Sequence, residues 1–209
     1  MSHRLDLFLK RVFDVLVSML GLVVLAPVFL IIAIIIKVTS PGPVFYRGVR
    51  SGLHGMKFRV FKFRTMVRDA ELRGGPSTGL DDPRVTSFGR LLRKTKIDEL
   101  PNLINVLIGQ MSLVGPRPEV PKYTSLYEGD EKLILTVRPG ITDLSSIRYI
   151  DLASHLGSED VDDNFEKYIL PEKNRLRVEY VMTRSFSRDL AILFRTLMQL
   201  LVRDKKNHG

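Results

Sequence analysis

Residues 94–118 read KTKIDELPNLINVLIGQMSLVGPRP, and the rest of the chain is organised around this stretch. An adjacent acidic pair, Asp98-Glu99, lies between a basic segment and a Pro-Arg-Pro corner. Pro101 lacks an N–H group and is tolerated only in a first helical turn. The pattern therefore predicts a helix that begins within a few residues before Pro101, has Asp98 as its N-cap and stops at Gly109. Its apolar stripe is Leu100, Leu103, Ile104, Leu107 and Ile108.

Two roles for Asp98 stay open on the local sequence. An N-cap Asp before an acidic first turn is common helix chemistry and needs no catalytic function. The charge context favours a second role, because a helix N-terminus and nearby cations keep a carboxylate ionised and attract a phosphorylated substrate. A reaction between carboxylate and phosphate then calls for a divalent metal and guanidinium groups to neutralise charge. The two prolines around Arg117 present one such guanidinium on stiff backbone.

The composition of the chain excludes several kinds of site. The 209 residues include 32 Lys and Arg against 23 Asp and Glu, a net charge of +9. This charge suits an anionic membrane surface, nucleic acid or phosphorylated ligands. There is no cysteine, so disulfides, thiolate catalysis and Cys-ligated zinc are excluded, and the four histidines show no zinc-ligand spacing. No nucleic-acid-binding motif accompanies the charge, so no nucleic acid is expected as a partner.

A long apolar segment precedes the charged part of the chain. Val15 to Ile36 is free of charge and about 22 residues long, enough to match a hydrocarbon core. Pro27, after Ala26, removes a backbone hydrogen bond and should kink the helix near its middle. The residues on both sides of the apolar segment are basic, so the positive-inside rule gives no consistent orientation for a helix that spans the membrane. Basic residues on both sides fit a helix whose two ends lie on the same membrane face. Residues 1–39 are therefore predicted to form a re-entrant membrane helix, with a kinked single span as the alternative.

Residues 40–209 are predicted to form a compact, mainly helical domain, which makes the whole chain an α+β protein. Val44 to Val49 and Lys57 to Phe63 flank a glycine-containing turn and predict a small β-hairpin. Two long amphipathic helices are predicted at Phe165 to Met182 and at Arg188 to Val202. The last helix could lie in the membrane interface or pack on the core, and both alternatives stay open.

Several ordered motifs resemble the bacterial sugar transferases, the small monotopic phosphoglycosyl transferases that begin glycan assembly on a polyprenyl phosphate. The resemblance runs over nearly the whole chain. It rests on Lys10-Arg11-x-Phe13-Asp14, Ser40-Pro41-Gly42-Pro43-Val44-Phe45, Lys62-Phe63-Arg64-Thr65-Met66, Asp98-Glu99-Leu100-Pro101, Met111-Ser112-x-Val114-Gly115-Pro116-Arg117-Pro118, Arg138-Pro139-Gly140-Ile141-Thr142 and Ser185-Phe186.

The resemblance implies transfer of a sugar 1-phosphate from a UDP-sugar to undecaprenyl phosphate, with release of UMP. Asp98 would be the nucleophile that forms a phosphosugar-aspartate intermediate and would contact Mg2+. Glu99 would help to activate the second nucleophile. Lys62, Arg93 and Arg117 fall at family positions associated with phosphate binding. The full set of candidate phosphate-binding residues is Lys62, Arg64, Arg93, Pro116, Arg117, Pro118, Arg138 and Arg148.

The resemblance also implies a place in the cell. The protein would lie at the cytoplasmic face of the bacterial inner membrane among phospholipids, in the first membrane step of O-antigen, capsule, exopolysaccharide or glycoprotein synthesis. A homodimer and downstream glycosyltransferases are further partners that stay open. The rival function is that of a non-catalytic basic protein that recruits partners or anionic lipid to the membrane, which would have no use for the Asp98-Glu99 pair.

The chain departs from the family pattern at two places. Ala26-Pro27 stands where many members have Ser-Pro, so no hydroxyl group meets the carbonyls freed at the helix break. Asp143-Leu144 stands where many members have Gly-Trp before a later arginine. Arg148 aligns only loosely with that arginine. The resemblance therefore leaves the identity of the sugar open.

Overall fold

The computed structural model describes the backbone of residues 3–206 and the side chains of residues 4–202. Its α-helices are α1 (His3–Thr39), α2 (Ser87–Thr95), α3 (Asn102–Leu107), α4 (Pro121–Thr124), α5 (Leu144–Arg148), α6 (Leu152–Leu156), α7 (Val161–Asn164), α8 (Leu170–Thr183) and α9 (Phe186–Lys206). Its strands are β1 (Phe45–Tyr46), β2 (Val49–Ser51), β3 (Lys57–Arg59), β4 (Lys62–Phe63), β5 (Ser112–Val114) and β6 (Gly140–Thr142). The predicted α+β class is confirmed.

The first four strands form one antiparallel hairpin, as predicted. β2 pairs with β3 and β1 pairs with β4, and both pairings keep the same register. The segment between β3 and β4 is hydrogen-bonded to the side chain of Asn105 in α3. Asn105 Oδ1 accepts from the Phe61 N–H at 2.8 Å, and Asn105 Nδ2 donates to the Arg59 carbonyl at 2.9 Å. Asn105 is fully buried, so these bonds are shielded from water. The hairpin is thereby fixed beside the segment that carries the acidic pair.

A parallel pair, β5 with β6, brings the Pro-Arg-Pro corner against the segment that follows residue 140. Ser112 lies opposite Gly140 in this pair. A Cβ atom at Gly140 would stand 2.1 Å from the backbone nitrogen of Gly115, which no side chain can tolerate. Glycine is therefore required for the two backbones to approach this closely.

Helix α1 is continuous through Pro27 and ends at Thr39, the boundary between the two predicted parts of the chain. It is long and apolar enough to cross a membrane, with a mean hydropathy of 3.1 over its most apolar window. One face packs on the rest of the protein from Asp14 to Ile36. The buried and partly buried positions on that face recur every three or four residues, as Asp14, Ser18, Leu22, Leu25, Phe29, Ile32 and Ile36.

Polar contacts fix both ends of α1 to the same body. Near its start, Lys10 donates to Asp189 of α9 at 2.5 Å, and buried Asp14 accepts from the Ser112 hydroxyl at 2.7 Å. At its end, the Arg64 guanidinium donates to the carbonyls of Ser40 and Pro41 at 2.6 and 2.7 Å. Arg64 thus satisfies backbone acceptors where α1 gives way to the hairpin.

The two long C-terminal helices form, but only α9 is amphipathic in the expected way. It buries Asp189 and Ile192 on one side and exposes a broad apolar face, Leu190, Phe194, Leu197, Met198, Leu201 and Val202, on another. The first of the two begins with a π-helical turn, Phe165–Ile169, and continues as α8. The buried side of α8 includes the charged and amide side chains of Lys173, Asn174 and Arg177 beside apolar residues, so the simple amphipathic pattern predicted for this helix is wrong.

Candidate functional site

The acidic pair lies in a 3₁₀ turn, Ile97–Glu99, and not at the N-cap of α3. Lys96 precedes the turn in the left-handed conformation, with φ 59°, and ends α2. An N-cap side chain at Asp98 would accept from the backbone N–H two or three residues later, at Leu100 or Pro101. The Leu100 N–H already donates to the Ile97 carbonyl at 3.1 Å, and Pro101 has no N–H to give. The prediction that Asp98 caps the helix is therefore wrong.

Asp98 is buried, with 7% of its surface exposed, and its Oδ1 has no hydrogen-bond partner. Burial, followed by repulsion from Glu99, raises the pKa of Asp98 to about 6, against the opposing charges of Lys62, Arg93 and Lys96. A desolvated carboxylate with one free oxygen is poorly stabilised in the folded protein. It is therefore available to bind a cation or to attack an electrophile.

Glu99 has the opposite environment. Its Oε1 accepts from Lys62 Nζ at 2.8 Å and its Oε2 from an Arg117 amino group at 2.8 Å, while the second amino group of Arg117 also contacts Oε1. Burial works to raise the pKa of Glu99, but Arg117 and Lys62 outweigh it and hold that pKa well below its usual range. Neighbouring carboxylates whose pKa values are pushed apart are typical of sites with distinct acid-base roles.

Arg93 is placed at the site by a close approach between α2 and the segment after β4. Its Nε donates to Thr65 Oγ1 at 2.8 Å, and Asp98 is among the charges that act on its guanidinium. At Gly89, a Cβ atom would stand 2.0 Å from the Thr65 carbonyl oxygen. The sequence indicates Thr65 only as part of a family motif and gives no role for Gly89. A glycine inside an otherwise helical pattern was the available signal.

The Pro-Arg-Pro corner is held by a second buried polar cluster that the sequence analysis missed. The Arg117 backbone N–H donates to Asp143 Oδ2 at 3.0 Å. Arg177 of α8, fully buried, donates to Glu119 at 2.6 Å and lies 3.7 Å from Asp143. Burial opposes ionisation of Glu119, but Arg177 and then Lys173 lower its pKa to about 2. The corner is thus fixed on both sides of Arg117.

The structure brings together five of the predicted site residues: Lys62, Arg93, Asp98, Glu99 and Arg117. Pro116 and Pro118 flank Arg117 in the Pro-Arg-Pro corner, whereas the three remaining arginines lie in different surroundings. Both amino groups of Arg64 donate to backbone carbonyls, Arg138 donates to the Gly109 carbonyl at 2.9 Å, and Arg148 is exposed at the end of α5. Among the described residues, no hydrogen bond or ion pair joins Arg138 or Arg148 to the acidic pair. Phosphate binding by these three arginines stays a prediction.

Asp98 is the residue that best fits a divalent cation. Within the described part of the chain, no group of three or more His, Asp or Glu residues could hold a metal ion. Mg2+ does not need such a group, because it keeps several waters and takes one or two protein carboxylates together with substrate phosphates. Both oxygens of Glu99 are occupied by Lys62 and Arg117, whereas Oδ1 of Asp98 is free.

Comparison with known proteins gives a consistent result. Residues 5–203 match the bacterial sugar transferase family. The exopolysaccharide production protein PSS of Rhizobium leguminosarum bv. phaseoli is 36% identical over 220 residues, covering 96% of this chain and 99% of its own length. The UDP-glucose:undecaprenyl-phosphate glucose-1-phosphate transferase of Caulobacter vibrioides is 37% identical, covering 93% of this chain and 70% of its own length.

A third relative has a different sugar in its name. The UDP-N-acetylgalactosamine-undecaprenyl-phosphate N-acetylgalactosaminephosphotransferase of Aeromonas hydrophila is 33% identical over 93% of this chain, which spans 44% of that relative. The match to the family over nearly the whole described chain, and the level of these identities, confirm the resemblance read from the motifs. The chain belongs to the bacterial sugar transferase family.

Proposed function

We propose that this protein transfers a sugar 1-phosphate from a UDP-sugar to undecaprenyl phosphate and releases UMP. The names of its relatives support the substrate classes, and one of those relatives is an exopolysaccharide production protein. One observation carries the proposal for this chain. Asp98 is a buried carboxylate with a free oxygen, next to a Glu99 whose charge is fully paired with Lys62 and Arg117.

The reaction would proceed in two displacements at the same phosphorus atom. A carboxylate oxygen of Asp98 attacks the β-phosphorus of the UDP-sugar, and the bond to the bridging oxygen breaks, so that UMP leaves with that electron pair. A phosphate oxygen of undecaprenyl phosphate then attacks the phosphosugar-aspartate, and the Asp98 carboxylate is the leaving group. Mg2+, held by Asp98, would supply charge neutralisation between the anionic reactants.

The contacts of Glu99 favour a positioning role. Its pKa is held well below the usual range by Arg117 and Lys62 despite its burial, which makes it a weak proton acceptor at neutral pH. It fixes Arg117 through a two-pronged contact and Lys62 through a third bond. Two cations are thereby held beside the nucleophile, where the charge of the transferred phosphate has to be stabilised. Activation of the second nucleophile by Glu99 stays a prediction from the resemblance.

The protein would act from the cytoplasmic face of the inner membrane without crossing it. α1 packs on one body from Asp14 to Ile36, and contacts at Lys10 and Arg64 tie the helix to that body before and after this stretch. A helix attached in this way would draw the body into the bilayer if it spanned the membrane alone. The exposed apolar faces of α1 and α9 would instead enter one leaflet. A homodimer and contact with downstream glycosyltransferases stay predictions.

Cysteine labelling tests this placement, since the chain has no cysteine of its own. Ser2→Cys, which lies outside the described residues, and Thr39→Cys are expected to resist a membrane-impermeant maleimide in intact spheroplasts. Leu72→Cys, on the exposed surface of the domain, serves as the cytoplasmic reference. All three should react after lysis. Labelling of position 2 alone in intact spheroplasts would mean that α1 spans the membrane.

Substrate use is tested by incubating purified protein with a panel of UDP-sugars, Mg2+ and undecaprenyl phosphate. Release of many UMP molecules per protein is expected with at least one sugar when lipid acceptor is present. Without lipid acceptor, at most one UMP per protein is expected. Folded protein that releases UMP from none of them would favour the non-catalytic recruitment function.

A further inference from the structure

A buried hydroxyl group, that of Thr65, holds one of the two arginines that act on the acidic pair. Thr65 Oγ1 accepts from Arg93 Nε at 2.8 Å, and Thr65 is only 6% exposed. Burial lowers the pKa of Arg93, and Asp98 is the largest of the charges that oppose this effect. Arginine stays protonated in proteins, so Arg93 presents a full positive charge to the candidate nucleophile.

The start of α2 fixes the backbone at Thr65. The Thr65 carbonyl accepts from the Thr86 N–H at 3.0 Å, and Thr86 is the N-cap of α2, where its Oγ1 accepts from the Gly89 N–H at 3.0 Å. Because a Cβ atom at Gly89 would overlap the Thr65 carbonyl, α2 lies directly against residue 65 at this point. Arg93 is one helical turn beyond Gly89 on the same side of α2, which brings its side chain to the Thr65 hydroxyl.

The amino groups of the two arginines have different surroundings. Both amino groups of Arg117 contact Glu99. Among residues 4–202, neither amino group of Arg93 has a hydrogen-bond or ion-pair partner, and both are open to solvent. With Nε bonded to Thr65, the end of the Arg93 guanidinium remains free to donate to two oxygens of one phosphate group.

We propose that Thr65 is a positioning residue, whose hydroxyl oxygen orients the Arg93 guanidinium so that both amino groups meet the diphosphate that Asp98 attacks. The inference rests on the function proposed above, which supplies the diphosphate. An arginine side chain has several rotatable bonds, and fixing it before the substrate arrives reduces the ordering that the reaction requires. A neutral hydroxyl does this without competing with phosphate for the positive charge, as a carboxylate partner would.

Steady-state kinetics of UMP release, with saturating lipid acceptor and Mg2+, test the proposal. Thr65→Val replaces the hydroxyl with a methyl group of similar size and is expected to lower kcat/KM for the UDP-sugar about tenfold. Thr65→Ser retains the oxygen and is expected to recover most of that loss. Thr183→Val is the matched control, because the Thr183 hydroxyl donates to the Glu179 carbonyl at the exposed end of α8, and it should leave kcat/KM unaltered.

A double-mutant cycle separates the positioning of Arg93 from a general effect on folding. Arg93→Ala is expected to lower kcat/KM by more than Thr65→Val does. Adding Thr65→Val to Arg93→Ala should cause no further loss, because the hydroxyl then has no guanidinium to hold. Thr65→Ala, which removes the hydroxyl without adding a methyl group in its place, completes the same cycle if the valine variant does not fold.

Three results would overturn the inference. The first is a kcat/KM near that of the wild type in the variants that lack the Thr65 hydroxyl. The second is a Thr65→Ser protein as impaired as Thr65→Val. The third is the same fold loss from Thr65→Val in the Arg93→Ala background as in the wild type. Each of these leaves the proposed function standing, whereas a wild-type protein that releases UMP from no UDP-sugar contradicts the proposed function itself.

Discussion

Asp98→Asn is expected to lower turnover by at least about 10³-fold, because it removes the anionic oxygen that attacks phosphorus. The same change is expected to make the protein more resistant to unfolding at neutral pH. Burial and Glu99 raise the pKa of Asp98 to about 6 in the folded protein, above its ordinary value of 3.8. The folded state therefore disfavours the charged carboxylate, and Asn removes this penalty. Its size is roughly 1 to 3 kcal/mol at neutral pH.

The difference in stability between wild type and Asp98→Asn is expected to depend on pH. Below pH 3.8 the wild-type carboxyl is protonated in both states, so the folded and unfolded proteins differ little in this respect. As the pH rises from about 4 to about 6, the unfolded chain loses the proton first, and wild-type stability falls relative to Asp98→Asn. Denaturant unfolding of both proteins at pH 4 and pH 7.5 measures the change. If the free energies of unfolding of wild type and Asp98→Asn differ by the same amount at both pH values, the Asp98 carboxylate is not desolvated.

Turnover measured alongside separates catalysis from folding. Asp98 makes no capping bond, so loss of activity in Asp98→Asn cannot be attributed to a lost cap. Slow deamidation back to Asp has to be checked by mass spectrometry. A folded Asp98→Asn protein with turnover near that of the wild type would remove Asp98 as the nucleophile.

Arg117→Lys is expected to lower kcat/KM roughly 10- to 100-fold, about 1.4 to 2.8 kcal/mol of transition-state stabilisation. Arg117 contacts both oxygens of Glu99 with its two amino groups, a geometry that requires the planar guanidinium. Lysine keeps the charge but offers a single ammonium, so Glu99 and the charged side chain at residue 117 lose their fixed arrangement.

Arg175→Lys is the matched control for this substitution. Arg175 also makes a two-pronged contact with a carboxylate, that of Glu172, but on the exposed surface of α8. The same chemical change there should leave kcat/KM unaltered, since surface ion pairs contribute little. Steady-state kinetics that are the same for Arg117→Lys and wild type would place Arg117 outside the reaction.

The elements that follow from periodicity were predictable. A long charge-free apolar stretch gave α1, apolar residues at helical spacing gave α9, and alternation around a glycine turn gave the hairpin. α8 illustrates the limit of this reasoning, because its buried side includes two cations. Lys173 is paired with Glu119, and Arg177 with Glu119 and Asp143. Nothing in the local sequence reveals which charges meet across such separations in the chain.

The candidate site was predictable in its chemistry more than in its geometry. Glu99 with Lys62 and Arg117 follows the charge pattern of the motifs. The N-cap assignment of Asp98 failed because the 3₁₀ turn uses the Leu100 N–H within the backbone, a detail that propensities do not resolve. Arg64 shows the converse limit, since a basic residue in a family motif turned out to bond with the carbonyls at the end of α1.

The central claim is that Asp98 forms a covalent bond to the sugar phosphate, and trapping that adduct tests it most directly. Wild-type protein is incubated with UDP-sugar and Mg2+ in the absence of lipid acceptor, quenched, and analysed by intact-mass and peptide mass spectrometry. We expect a gain of one sugar phosphate on the peptide that contains Asp98, and none in Asp98→Asn. UMP formation at a normal rate once lipid is added, with no adduct on Asp98 at any time point and the same turnover in Asp98→Asn, would contradict the mechanism.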